Sequence, residues 1–497
     1  MTSTVRIKKG ARISIPTYES LGVKTLINCQ GTYTVLGGSL PLPEVLKAEK
    51  EASRHYVRLD ELAEAAGAWI AELTGAPWGL VTCGSAAALC QLTAACIAGS
   101  DPERMVRLPD TGDLSNRVLT LSWHRHEFEH AIRMAGARIV AVDTKQELER
   151  EAGKGACMLA FLGEVSGEGN VSLAEMAEIG RSRSIPLVVD AAAERPDRPN
   201  RYLAGGADAV IYSGGKCLRG PQNTGLVLGR RDLLEAAYLH GNPHIGLARP
   251  MKVSKESLMG LLAALSMWYQ RDHKHEWTLW EGMLRAIASR ISSVPGIRTE
   301  IRLPERPSNV APVLSIQWER RLVPVSNREV KRKLAEGEPG IEMPISGHGL
   351  SVMPYMMEAG EERIVGRKLR EIFDNALALK KPGMPGPGER AGAIKQGELT
   401  DVSGAWNIDL QFVLGKATHR MVLQQEGGLL QGRYTGSLGE SELTGEVQVS
   451  SLTFHTVLRY EAKDLRYAFK GTVERQALRG SVSLAGFGEG SWHATRQ

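Results

Sequence analysis

A chain of 497 residues is longer than one ordinary domain, and 42% hydrophobic with 24% charged residues is a globular composition with ample core material. The net charge of +5 comes without a dense lysine–arginine tract, which argues against a nucleic-acid partner. No run of roughly 18 apolar residues offers a membrane span, so no membrane partner is expected.

The amino terminus, MTSTVRIKKGARISIP, lacks the apolar core of a signal peptide. The six cysteines (Cys29, Cys83, Cys90, Cys96, Cys157, Cys217) form no CxxC pair, and none lies in the last hundred residues. Reduced thiols and a cytoplasmic setting follow as expectations.

Residues 1–55 read as an arm that contributes to a small domain and to an active site. From 56 to 254 helix-like and strand-like segments alternate. LAEAAGAWIAELTG is a helix, WGLVTC a strand and SAAALCQLTAACIAG a helix of small residues. RVLTLSW, ARIVAVD, ACMLAFLGE, IPLVVDAAAE and ADAVIYSGGK read as further strands, with EFEHAIRMAGA and SLAEMAEIGRSRS as helices and Ser172 as an N-cap. Short, nearly continuous apolar strands separated by helices predict an α/β domain with a mostly parallel sheet. Residues 255–380 begin with one or two long helices, interrupted by charge at Arg271–Glu276, and form a smaller α/β domain. Residues 381–400 are a Pro/Gly-rich linker. Residues 401–497 hold eight short alternating runs split by glycine-containing turns, which predict an antiparallel β-barrel or sandwich. Such a module serves as a structural or oligomerisation appendage, or as a ligand-binding barrel.

Ligands of parallel sheets collect at the carboxyl ends of the strands. TCGSAAAL (Thr82–Leu89) puts a helix amino terminus there, which suits a phosphate, although Gly-Ser in this place is ordinarily plain capping. PLVVD ends on Asp190, and YSGGKCLRGPQNTG carries Lys216 with glycine neighbours that leave room for a flat ring. A phosphate cradle, an acid and a lysine, in that order at strand ends, is the set that pyridoxal 5'-phosphate requires: amine for the Schiff base, carboxylate for the pyridine nitrogen, helix terminus for the phosphate. SWHRHEFEHAI places His124 and His126 at a strand end, where a ring can stack on the cofactor; His126 is favoured over His124. HxH with His130 lacks the ligands that complete a zinc site, so no metal is expected.

SGGKCLRGPQNTG, VVDAAAE and CGSAAAL together resemble the fold-type I pyridoxal-phosphate enzymes of the selenocysteine-synthase-like group. INCQGTYTVLGGSLPLPEV, DPERMVRLPDT, HRHEFEHAIRMAGARIV and LARPMKVSK are similar to its D-glucosaminate-6-phosphate ammonia-lyase branch, over about Tyr18 to Phe373. The resemblance implies Lys216 as Schiff-base lysine and proton shuttle, Asp190 on the pyridine nitrogen, and Gly84, Ser85 and Ala86 on the phosphate with Ser213. It implies that GPQNTG, whose Thr224 counts with the cofactor contacts, reaches a neighbouring subunit's site in a homodimer or higher homo-oligomer. Asn28, Thr34, Gly37, Ser39, Arg249 and Lys252 would face a small amino-acid substrate.

Three departures argue against tRNA-bound serine as substrate. Gly38 stands where selenocysteine synthase carries arginine, Arg249 and Lys252 replace its arginine pair, and its tRNA-binding domain has no room ahead of Tyr18. Arg54, Arg58 and Arg125 are candidates for a substrate phosphate, each read first as an ordinary surface arginine. The expected activity is a lyase reaction, α,β-elimination of the ammonia-lyase type on a small or sugar-derived amino acid. Alternatives are β-replacement by sulfur or selenium, racemisation or aldol cleavage on the same scaffold, and a non-catalytic binding protein.

Overall fold

The computed structural model describes residues 15–378, 400–474 and 477–497; the linker expected over 381–400 lies outside the described residues apart from Thr400. The chain divides into two compact units, Met1–Met384 and Pro385–Gln497. Among the described residues no helix is long and apolar enough to cross a membrane.

The first unit is built on a seven-stranded sheet in the order Trp78–Thr82, Gly225–Gly229, Ala209–Ser213, Leu187–Asp190, Met158–Leu162, Arg117–Leu121, Arg138–Val142. Gly225–Gly229 runs antiparallel to both of its neighbours, and the other neighbouring strands pair in parallel. Residues on both faces of the central strands are buried, which is why they read as continuous apolar runs rather than alternating ones. The Ser85–Ala98 helix is buried almost all round, and its small side chains let it lie against Glu129–Met134 and Arg231–Leu239. Ser172 closes a capping box with Glu175 at the start of Leu173–Arg183, as its position predicts.

The charged interruption at 271–276 separates two helices, Lys255–Gln270 and His273–Ile291. The Asp272 side chain accepts the His275 N–H at 2.9 Å and caps the second. A four-stranded antiparallel sheet (Ile345–Ser346, Gly349–Val352, Val313–Trp318, Ile297–Arg302) follows. The arm is stitched to this lobe: Leu26–Asn28 pairs in parallel with Gly340–Glu342, and the Cys29 carbonyl accepts the Met353 N–H at 2.9 Å.

In the second unit eight antiparallel strands, from Gly404–Gln411 to Glu489–Arg496, close into a barrel, with the last strand paired to the first. Alternation places Trp406, Phe454, Phe469 and Trp492 inside, where Phe454 and Phe469 stack at 4.3 Å. The interior is thus packed by side chains. The buried Trp406 indole donates to the Val402 carbonyl at 2.9 Å. Trp406→Ala removes that bond and leaves a cavity, and is expected to cost about 3–5 kcal/mol. Hydrogen exchange of the barrel-strand amides as a function of urea checks this; a change under about 1 kcal/mol contradicts it.

Candidate active site

Lys216 sits in the loop after Ala209–Ser213, and that loop is folded on itself. The Gly214 N–H donates to the Thr224 carbonyl and the Gly220 N–H to the Gly214 carbonyl, both at 2.8 Å. A Cβ on Gly214 would lie 2.0 Å from Thr224 Oγ1, and one on Gly215 2.5 Å from the Gln222 Cα. These two glycines are thus required where the Lys216 loop packs on itself, a reason for them that the sequence alone does not give. Thr224 is fully buried, and its hydroxyl donates to the Pro221 carbonyl at 2.6 Å, so it braces this loop.

Asp190 ends the neighbouring strand, paired in register with Ile211, and is 7% exposed. Its Oδ1 accepts the Ala192 N–H at 3.0 Å. Burial lowers the pKa of Lys216, while Asp190, Cys217 and Glu164 push it back up. The amine is thus held toward its neutral form beside an acid that still favours the cation. Glu164 was not singled out from sequence, though it follows a strand end in ACMLAFLGE; its Oε2 accepts the Ser308 hydroxyl at 2.8 Å.

The 124–126 segment separates the two histidines by burial. His124 is 1% exposed, packs edge-on against Phe161 at 4.3 Å and accepts the Leu162 N–H on Nδ1 at 3.0 Å. Burial, then the neighbouring His126, lowers its pKa to about 4, so it is neutral near pH 7 with its proton on Nε2. Its Nε2 and the Nδ1 of half-buried His126 are buried without a hydrogen-bond partner. Both residues border one small cavity with Asp190, Thr120 and Glu129. Because unfolded His124 protonates near pH 6.5 and folded His124 only near 4, stability is expected to fall as pH drops through that window, by about 2 kcal/mol at pH 5. His124→Gln, which keeps an acceptor for Leu162, should remove that part of the pH dependence; urea midpoints at pH 7 and pH 5 measure it.

At the Ser85–Ala98 helix the first internal bond runs from the Ala88 N–H to the Gly84 carbonyl at 3.1 Å, which leaves the Ser85, Ala86 and Ala87 N–H groups free of helix partners. Gly84 has φ +87°, and a Cβ there would meet nothing, so the terminus stands open. Ser213 ends the strand leading to Lys216, and its N–H donates to the Ala192 carbonyl at 3.0 Å. From the arm, the Ser39 N–H donates to the Gly215 carbonyl at 3.0 Å, and the Ser39 hydroxyl is buried without a partner. Asn28 organises its own turn: its Oδ1 accepts the Gln30 and Gly31 N–H groups. Tyr355, missed in the sequence, hydrogen-bonds Thr32 at 2.8 Å and Asn309 at 3.0 Å.

Other expected residues stand apart. Thr34 and Gly37 lie exposed in a short 3-10 turn. Arg249 is half-buried and Lys252 exposed in the segment before Lys255–Gln270, and neither borders the Asp190 cavity. Arg54 pairs with Glu51 and Arg58 with Glu61 at the surface, whereas Arg125, mostly buried, pairs with Glu129, which borders the Asp190 cavity. Among the described residues no cluster of three metal-ligating side chains occurs.

Pyridoxal phosphate fits these residues. The open helix terminus offers N–H donors for its phosphate, Asp190 a carboxylate for its ring nitrogen, and Lys216 an amine biased to the reactive neutral form. The unpartnered imidazole nitrogens supply polar contacts that a bound group can complete.

No protein-family model matches the chain. It is 30% identical over 373 residues to the D-glucosaminate-6-phosphate ammonia lyase of Salmonella typhimurium (strain 14028s / SGSC 2262), covering 72% of this chain and 98% of that protein. A 5'-C-glycyluridine monooxygenase-decarboxylase of Streptomyces sp is 35% identical over 293 residues, covering 56% and 72%. The L-seryl-tRNA(Sec) selenium transferase of Geotalea daltonii is 26% identical over 313 residues, covering 54% and 61%. The solved structure of a D-glucosaminate-6-phosphate ammonia-lyase superposes with a TM-score of 0.66 at 29% identity, over 73% of this chain and all of that one. With the lysine, the acid and the helix terminus arranged on a matching fold, the chain belongs to the selenocysteine-synthase-like family of fold-type I pyridoxal-phosphate-dependent enzymes, in the branch that holds the D-glucosaminate-6-phosphate ammonia lyase.

Proposed function

We propose that this protein is a pyridoxal-phosphate-dependent lyase that catalyses α,β-elimination on a small or sugar-derived amino acid, releasing ammonia. The observation that carries this is Lys216, half-buried with its pKa lowered, next to the strand that ends in Asp190. The cofactor, when bound, supplies an electron sink for the carbanion left by loss of the substrate's α-proton. Lys216 would hold the cofactor and move that proton, since a desolvated amine is an effective base near neutral pH. Asp190 would keep the ring nitrogen protonated, the Ser85–Ala87 N–H groups would bind the phosphate, and His126 would lie against the ring. Ser39 and Asn28 from the arm would border the substrate.

The name of the 30%-identical relative supports elimination over the other reactions open to this scaffold. Against β-replacement on tRNA-bound serine stands Gly38, with φ +76° and a Cβ position 3.0 Å from Gln222 and 3.1 Å from the Gly215 carbonyl oxygen. An arginine does not enter that space without moving the Lys216 loop. A homo-oligomer is supported by the exposed apolar residues of the arm and its surroundings, among them Tyr18, Tyr33, Val35 and Tyr56.

The test is ammonia and keto-acid release from a panel of β-hydroxy amino acids and sugar-derived amino acids, with D-glucosaminate 6-phosphate included, alongside oxygen uptake. Release without oxygen uptake is the expected result. A product formed by oxygenation or by substitution at the β-carbon, with no ammonia, overturns the assignment.

A further inference from the structure

A second cavity, of about 370 Å³, lies beside the Lys216 loop where the large lobe, the break between the two long helices and the small lobe meet. Lys216, Asp190, His124 and His126 do not line it. Its lining includes Arg195, Arg219 and Arg271 together with apolar side chains, among them Trp280, Met283 and Met357.

Of the three guanidiniums, Arg271 is answered by an acid, its Nη2 donating to Glu276 Oε2 at 3.3 Å, while Arg195 and Arg219 are held by contacts that carry no opposite charge. Arg271, with a side chain 11% exposed, lies 3.0 Å from Glu276 Oε1 in an ion pair, yet its Nε has no hydrogen-bond partner. Its Nη1 donates to the Cys217 carbonyl at 3.2 Å, and its guanidinium stacks 5.1 Å from the Trp268 ring centre. Arg195 lies 5.4 Å from the same ring. Arg219 sits at φ +57° with its Nε donating to the Leu40 carbonyl at 3.0 Å. Its pKa is lowered by burial and then by Arg271. Two carboxylates also face the cavity, Glu276 and Glu358; Glu276 is shared between Arg271 and His273, and Glu358 is exposed. Among the described residues, Arg195 and Arg219 have no ion-pair partner. Three guanidiniums against two carboxylates at a partly desolvated site leave positive charge in excess, and an anion between the arginines relieves it.

We propose that this cavity binds a small organic anion, its carboxylate or phosphate head held by Arg195, Arg219 and Arg271 and its apolar body against Trp280, Met283 and Met357. The volume falls in the range of small-molecule sites, roughly 300–1,000 Å³. Guanidinium forks match the planar edge of a carboxylate or the face of a phosphate. The site is additional to the cofactor site and does not rest on the reaction assigned there. Arg271 touches the Lys216 loop through its hydrogen bond to the Cys217 carbonyl.

Calorimetric titration of the cofactor-loaded protein with phenyl phosphate, and separately with inorganic phosphate, tests this. The expected result is one site per chain, with phenyl phosphate the tighter ligand. Arg195→Gln should weaken phenyl phosphate about tenfold or more, and Arg195→Lys less, as loss of a charge-assisted hydrogen bond requires. Met283→Gln, which leaves the arginines in place, should weaken phenyl phosphate and not inorganic phosphate. Absence of binding to the cofactor-loaded protein, or unchanged affinity in a folded, cofactor-loaded Arg195→Gln protein, each overturns the proposal.

Discussion

Lys216→Ala is expected to lose at least about 10³-fold in turnover, because the same side chain holds the cofactor and carries the α-proton. The purified variant should also lack the visible absorption band that borohydride removes from the parent. Its far-UV circular dichroism should match the parent's, and its urea midpoint should match or exceed that of the cofactor-free parent. The reason is physical: burial disfavours the charged amine, so the folded state gives up no stabilising charge when the amine is removed. Residual turnover within tenfold of the parent would show that another base moves the proton.

Asp190→Asn should keep the fold, since an amide oxygen still accepts the Ala192 N–H that Asp190 Oδ1 accepts at 3.0 Å. Turnover is expected to fall about 10²-fold or more at saturating cofactor, the scale for removing an electrostatic stabiliser from a desolvated site. The pH profile should respond as well. Asp190 raises the Lys216 pKa against the lowering by burial, so removing its charge lets that pKa fall further. The acid limb of the rate profile then moves to lower pH; a limb that stays in place, or moves up, contradicts the pairing.

Much of the large lobe was legible in local pattern. The strand ends that carry Asp190 and Lys216, the helix opening at Ser85 and the capping box at Ser172 follow from apolar runs and short-range chemistry. The barrel's inward residues follow from alternation, although its closure needed the pairing of Gly404–Gln411 with Glu489–Arg496. The direction of Gly225–Gly229 was hidden in a run, LVL, that reads alike either way. The short, helix-free connection after Lys216 leaves no length for a crossover and turns the strand antiparallel.

By itself the sequence determined most helices and strands of the large lobe, and the order in which cradle, acid and lysine meet the carboxyl edge of a sheet. Those features depend on residues a few positions apart, whose backbone hydrogen bonds and side-chain periodicity are local. Only the tertiary structure decided that His124 is buried and neutral while His126 is half-exposed, and that Gly214 and Gly215 make room for their own loop. It alone brought Arg195, Arg219 and Arg271 to one cavity beside Lys216. Each of these is an ordinary residue in its own stretch of sequence. Burial and charge repulsion between distant segments arise only once the chain is packed, and that packing is what makes them a site.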